Sequence, residues 1–172
     1  MRSHPPDDYR KKAERELEII SRLPRQRCSL PSGNPASGLM LVLEDPASPR
    51  VLDALHRSLA AVELPEAYLT PASSPSLREE LYAVDPSLLV AVGPGAAHGI
   101  DALDYPLVHH GFSEAPEGEP FPWTRGTPGL RLPPLAPALE DEPAKHRFWR
   151  AFLVLRAFSS GSLQSFPDRY IN

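Results

Sequence analysis

The apolar positions of this chain fall into short blocks set apart by polar and proline-rich connections. Leu39–Leu43 and Leu88–Val92 are each apolar throughout. Blocks of that length without alternation fit strands covered on both faces, as in a parallel sheet. Turn chemistry follows both: Glu44-Asp45-Pro46 after the first, Gly93-Pro94-Gly95 after the second. Between them Val51, Leu52, Leu55, Leu59 and Val62 make one stripe, which predicts a helix from about Arg50 to Ala61 with Pro49 in its first turn. Glu66–Leu69 predicts a short second strand, stopped by Thr70-Pro71. Ser74 is expected to cap the next helix, with Pro75 at its first position and Leu77, Leu81 and Val84 facing inward. After Gly95, the residues Ala96, Ala97, Ile100 and Leu103 predict a helix that packs back on the sheet.

Tyr105–His109 fits another short strand or an irregular segment. Residues 111–128 are Pro/Gly/acidic and predict a loop, Gly129–Leu132 a last strand, and Pro133–Leu139 a rigid crossing. A final helix opens at Glu140-Asp-Glu-Pro143, with acids at its positive end, and runs to about Phe158; Phe148, Trp149, Phe152, Leu153 and Leu155 make it the most hydrophobic. At the other end Tyr9, Ala13, Leu17 and Ile20 recur helically before Pro24. That amphipathic helix either packs on the domain or docks a partner. Alternating strands and helices argue an α/β domain, with a parallel sheet and helices on both faces. The expected division is an N-terminal extension over 1–26, the α/β domain over 27–158 and a tail over 159–172. In such sheets the carboxyl ends of the strands carry the sites, which directs attention to Glu44, Asp45 and Gly93.

Composition narrows the chemistry. The chain has 172 residues, a formal net charge of -4 and a pI near 5.9, and no Lys/Arg block tracks phosphates. A local basic rim stays open. The 22 prolines, clustered between Pro116 and Pro143 and near the N-terminus, read as rigid loops. Cys28 is the single cysteine, so neither an internal disulfide nor an all-cysteine iron–sulfur site is available within one chain. No apolar run approaches membrane-spanning length and the N-terminus lacks a signal-peptide core, so a soluble, cytoplasmic protein without membrane contact is expected. His109 and His110 are adjacent; on an extended segment they would point to opposite faces, and no Cys or acidic cluster is nearby in sequence, so no metal is expected. Phe121, Trp123 and Arg125 either wedge against DNA or tuck onto the domain. Gly93-Pro94-Gly95 lacks the length and the Lys-Ser/Thr of a phosphate loop, and no other cofactor is expected.

Leu39-Met-Leu-Val-Leu-Glu-Asp-Pro46 resembles the first motif of the uracil-DNA glycosylase superfamily. Val51-Leu-Asp-Ala-Leu55, Ala67-Tyr-Leu-Thr70, Pro86–Gly93 and Ala96-Ala97 follow the order of its family 4 type. Pro137-Ala-Leu139, Pro143-Ala-Lys145 and Trp149 resemble the segment carrying that family's second motif and the helix after it. The likeness spans roughly residues 30–158. It implies a three-layer α/β/α sandwich with a four-stranded, mostly parallel sheet and a DNA-facing edge at the strand carboxyl ends. In active members a nucleotide is flipped into a pocket there and water attacks the sugar. The resemblance places Asp45 where several families keep a water-activating aspartate, with Glu44 beside it. The plainer alternative is that both acids cap the helix from Arg50 or sit in solvent. Thr70-Pro71 stands where a base-reading asparagine is common, and Pro offers no amide to a uracil edge. Leu135-Ala136-Pro137-Ala138 stands where a His-Pro-Ser run would neutralise the leaving base, a large electrostatic loss. The family's four iron–sulfur cysteines are absent.

The expectation is therefore a glycosylase-like scaffold with a dismantled pocket. It would act as a DNA- or protein-interaction module in repair or replication, with the Tyr9–Leu23 helix as a docking candidate. Thr70, Gly93, His109, Trp123, Arg125 and Pro137 are its candidate contacts. The psi subunits of bacterial DNA polymerase III clamp loaders resemble this arrangement, with the same fold and no catalysis. The alternative is an active, divergent glycosylase using Asp45, assisted by Glu44, as its base.

Overall fold

The structure is a computed structural model that describes residues 30–159. The N-terminal helix expected over Tyr9–Leu23, Cys28 and the tail from residue 160 lie outside the described residues. Four parallel strands form the sheet: β1 (Leu39–Leu43), β2 (Tyr68–Pro71), β3 (Leu88–Val92) and β5 (Pro128–Leu132). The two-residue β4 (Phe121–Pro122) joins antiparallel at the edge, and the order is β2-β1-β3-β5-β4. β1 and β3 are central and wholly buried, which is why their sequences show no polar alternation.

Helices cover both faces. Leu39, Leu41, Leu43, Val90 and Leu132 point to one side, where they meet α1 (Pro49–Ala61), α4 (Leu135–Ala138), α5 (Glu142–Phe152) and α6 (Leu155–Ser159). Met40, Val42, Leu89 and Ala91 point to the other, against α2 (Leu77–Val84), α3 (Pro94–Asp101) and the aromatic residues of the 112–123 segment. This is the α/β/α layering expected from the alternation. The chain steps from β1 to β2, then crosses back over β1 to β3, so the switch in direction falls between β1 and β3.

The sheet has five strands rather than four. The fifth lies within the segment read as loop, because Gly129 leaves room for aromatic rings. A Cβ there would sit 2.6 Å from Cζ of Phe121 and 2.9 Å from Cζ of Phe112. Tyr105–His109 is not a strand; it contributes one bridge, between Val108 and Thr124. β2 begins two residues later than expected and includes Pro71, which pairs with Leu43 at the strand's last position. Ser74 does not cap α2. The helix starts at Leu77, and the Ser74 and Ser76 hydroxyls donate instead to Oε1 of Glu80 at 2.8 and 3.1 Å. The Pro133–Leu139 crossing holds the short α4. The last helix is two helices, because bonds from Val154, Arg156 and Ala157 each reach back three residues and tighten the chain after Phe152.

Both rims of the sheet are met by neighbouring backbone. Ser32 and Leu69 exchange two hydrogen bonds, 2.9 and 2.8 Å, along the outer side of β2, and Asn34 donates to Glu66. At the other rim His109 N–H donates to the carbonyl of Trp123 at 2.7 Å.

Candidate functional site at the carboxyl edge of the sheet

The switch between β1 and β3 brings Glu44, Asp45 and Gly93 to one edge. The ladder continues one step past the strands: Glu44 N–H donates to Val92 at 3.3 Å, Ala72 N–H to Leu43 at 2.7 Å and Gly93 N–H to Leu132 at 3.0 Å. This fixes where each side chain starts. Glu44 Oε2 accepts a hydrogen bond from Gly95 N–H at 2.9 Å, in the first turn of α3. The carboxylate thus lies at the positive end of that helix, a favourable place for a negative charge. It also lies directly over Gly93, whose φ of +89 suits glycine, and a Cβ at residue 93 would overlap the Glu44 carboxyl group. At Gly95 a Cβ would come within 3.0 Å of both Cβ and Oε2 of Glu44. The two glycines are therefore the bed of this carboxylate.

Asp45 is exposed, and its Oδ2 accepts from Ser73 N–H at 3.1 Å, in the turn after β2. Neither acid caps α1, which is one arm of the plainer sequence alternative, whereas the exposure of Asp45 agrees with the other arm. Ser48 does so, accepting from Val51 N–H at 3.2 Å. The acids instead tie β1 to the turns that follow its two neighbouring strands. The Gly95 and Ser73 partners are far away in sequence, so no local signal pointed to them.

The remaining candidates do not converge here. Thr70 sits in β2 with no exposed surface, and its hydroxyl has no hydrogen-bond partner, so it is interior rather than lining. Pro137 is exposed on α4, where its carbonyl accepts from Glu140 and Asp141 N–H and closes a turn. His109, Trp123 and Arg125 lie at the opposite, amino edge. Trp123 is next to Thr124, which bridges Val108, and Thr127 Oγ1 donates to the carbonyl of Pro86 just before β3. Five strand residues at about 3.3 Å each separate the two edges, roughly 16 Å. Trp123 is turned inward with 2% of its surface exposed, packed at 4.9 Å from Tyr105 and 5.9 Å from Phe112. His110 and Arg125 are exposed. His98 lies on α3 with Nδ1 3.1 Å from the Ser113 hydroxyl.

Among the described residues no group of three His, Cys, Asp or Glu side chains is placed to hold a metal ion, and no helix is long and apolar enough to cross a membrane. An open cleft of about 430 Å³ lies beyond β5, between Glu117–Glu119 and α5, and neither Glu44 nor Asp45 lines it. Its walls are ordinary charged residues that only the docking of α5 brings together, so it leaves no signal in the sequence. No protein-family model matches the chain, and no curated protein sequence matches it significantly.

Proposed function

We propose that the chain is a uracil-DNA glycosylase-like protein whose base pocket is closed, working as a DNA- or protein-interaction module in repair or replication rather than as a catalyst. One observation carries this reading: the Glu44 carboxylate lies on Gly93 and Gly95. In a doubly wound sheet, the carboxyl end of the strands flanking the switch is where a ligand is expected. Here an internal side chain takes that place and uses the helix N-terminus that would otherwise face a ligand.

Three further placements support it. Thr70 is sealed inside β2 and unable to read a base. His109 and His110 are at the other edge, so neither replaces the missing histidine of the second motif beside Asp45. Asp45 has its own backbone donor at Ser73. Without a partner for the departing base, a lone carboxylate leaves the larger part of the transition-state charge uncompensated.

The test is uracil release from single-stranded and mismatched duplex DNA by the full chain. No release above the buffer control is expected. Release that disappears in Asp45→Asn would overturn the proposal and establish Asp45 as the base of a divergent glycosylase.

A further inference from the structure

The sequence holds no basic block, yet cations without an acidic partner recur on α5 and α6. Among the described residues, Arg125, Lys145, Arg150 and Arg156 have no carboxylate at ion-pair distance. The other arginines are engaged: Arg50 with Glu140, Arg57 with Asp53, Arg147 with Glu117, and Arg78 and Arg131 with backbone carbonyls. Three of the four unpaired cations belong to α5 and α6. Lys145 is one helical turn before Trp149 on the same face, Arg150 follows it, and Arg156 is exposed a little further on.

Trp149 is the exception among the large side chains of α5. It is 37% exposed, although its ring stacks on Phe152 at 5.7 Å and 16°. One face of the indole is thereby braced from behind. Of the acids nearest this surface, Glu140 pairs with Arg50, Asp141 caps α5 by accepting from Ala144 N–H and Glu117 holds Arg147, while Glu142 lies 3.7 Å from His146 and Glu119 stands at the rim of the cleft. Arg150 lines that cleft, so the helix carries an unpaired cation on the flank beside it and an exposed ring on the next.

We propose that the exposed face of α5, centred on Trp149, is a docking surface for single-stranded nucleic acid. A base stacks on Trp149, and the flanking phosphates meet Lys145 on one side and Arg150, above the cleft, on the other. An aromatic platform between unpaired cations is what an unpaired strand needs, since every base offers a face and every link a negative charge. A duplex would offer only the charge. The inference rests on the interaction-module reading in taking nucleic acid as the partner, but it concerns a different surface from the Glu44 edge.

The experiment is titration of the full chain with an oligothymidylate of about 20 nucleotides, following tryptophan fluorescence. Trp123 is interior, so quenching reports Trp149. Binding with quenching is expected. Trp149→Ala should weaken it by roughly 5- to 100-fold, measured by anisotropy of a labelled oligomer. Lys145→Glu/Arg150→Glu should abolish it at moderate salt, while Lys145→Ala/Arg150→Ala flattens the salt dependence by about 1.4 in log–log slope. All three positions are exposed, and circular dichroism of each variant checks that the fold is kept. No binding at low salt would overturn the proposal, as would binding that survives the double charge reversal. Equal competition by polyglutamate without quenching would also overturn it, and would assign the surface to an acidic protein partner. Uracil release by the same preparations decides the earlier proposal separately, so failure of either is recognisable.

Discussion

The two edges of the sheet are closed by different kinds of residue. At the carboxyl edge polar side chains bond to neighbouring backbone: Glu44 accepts from Gly95, Asp45 from Ser73 and Ser48 from Val51. The amino edge is closed by rings. Tyr82, Tyr105, Trp123, Phe112 and Phe121 form a continuous series with centroids 4.9 to 5.9 Å apart. Just outside that series Leu107 stands 84% exposed at a positive φ, with His109 and His110 next to it. The comparison teaches that residue type alone is a poor guide to a site. The candidate acids Glu44 and Asp45 accept from backbone N–H groups, and Trp123, read as either a DNA wedge or a ring tucked onto the domain, is core.

The contrast can be broken by mutation, and the largest effect belongs to the ring series. Trp123→Ala should cost about 3–5 kcal/mol in denaturant unfolding. Trp149→Ala should cost about 1 kcal/mol or less, because that ring is partly in solvent. Similar losses for the two tryptophans would refute the division between core and surface. Gly93→Ala comes next, at about 2–3 kcal/mol, since the new methyl meets the Glu44 carboxyl and the backbone is left-handed. Adding Glu44→Ala should return the steric part and leave about 1 kcal/mol of backbone cost.

Glu44→Gln alone should cost about 1 kcal/mol, through a weaker bond to Gly95 and the lost charge at the start of α3. Asp45→Asn should stay within about 0.5 kcal/mol, because an amide oxygen can still accept from Ser73 at an exposed site. If Asp45→Asn proved as damaging as Glu44→Gln, the two acids would share one structural role.

The smallest effect is alkaline. Burial, the Tyr82 hydroxyl and Asp85 push the Tyr105 hydroxyl above its ordinary value near 10, with Arg78 opposing. Burial and the Glu80 carboxylate raise Tyr68 as well. The folded chain therefore keeps protons that the unfolded chain releases above pH 10. Stability is full below that pH and falls as pH rises through the folded values. Tyr105→Phe should lessen the fall, seen as a smaller drop in melting temperature between pH 9 and 11.

Much of the framework was legible in the sequence because burial on two faces leaves its own mark. Leu39–Leu43 and Leu88–Val92 could hardly be anything but central strands, and the Leu52, Leu55, Leu59 stripe announced α1. What escaped depends on partners distant in the chain. The two residues of β4 have no periodicity to read; their cause is the absent side chain of Gly129. Ser74 had the right type for a cap, but Glu80 competes for its hydroxyl. Glu44 and Asp45 were recognisable as acids after a buried strand. Their donors at Gly95 and Ser73 were not, because only the sheet brings those turns alongside β1. Trp149 looked like one more apolar residue of a hydrophobic helix, whereas its neighbours Phe148 and Phe152 take the inward positions.

The pairing of Ser32 with Leu69 at one margin, and of His109 with Trp123 at the other, has a bearing on how the molecule meets its surroundings. Among the described residues, the backbone groups of Leu69 at one margin and the Trp123 carbonyl at the other are already taken, so an incoming strand would have to displace a neighbour to pair there. That occupancy works against copies of the chain joining edge to edge at these two places.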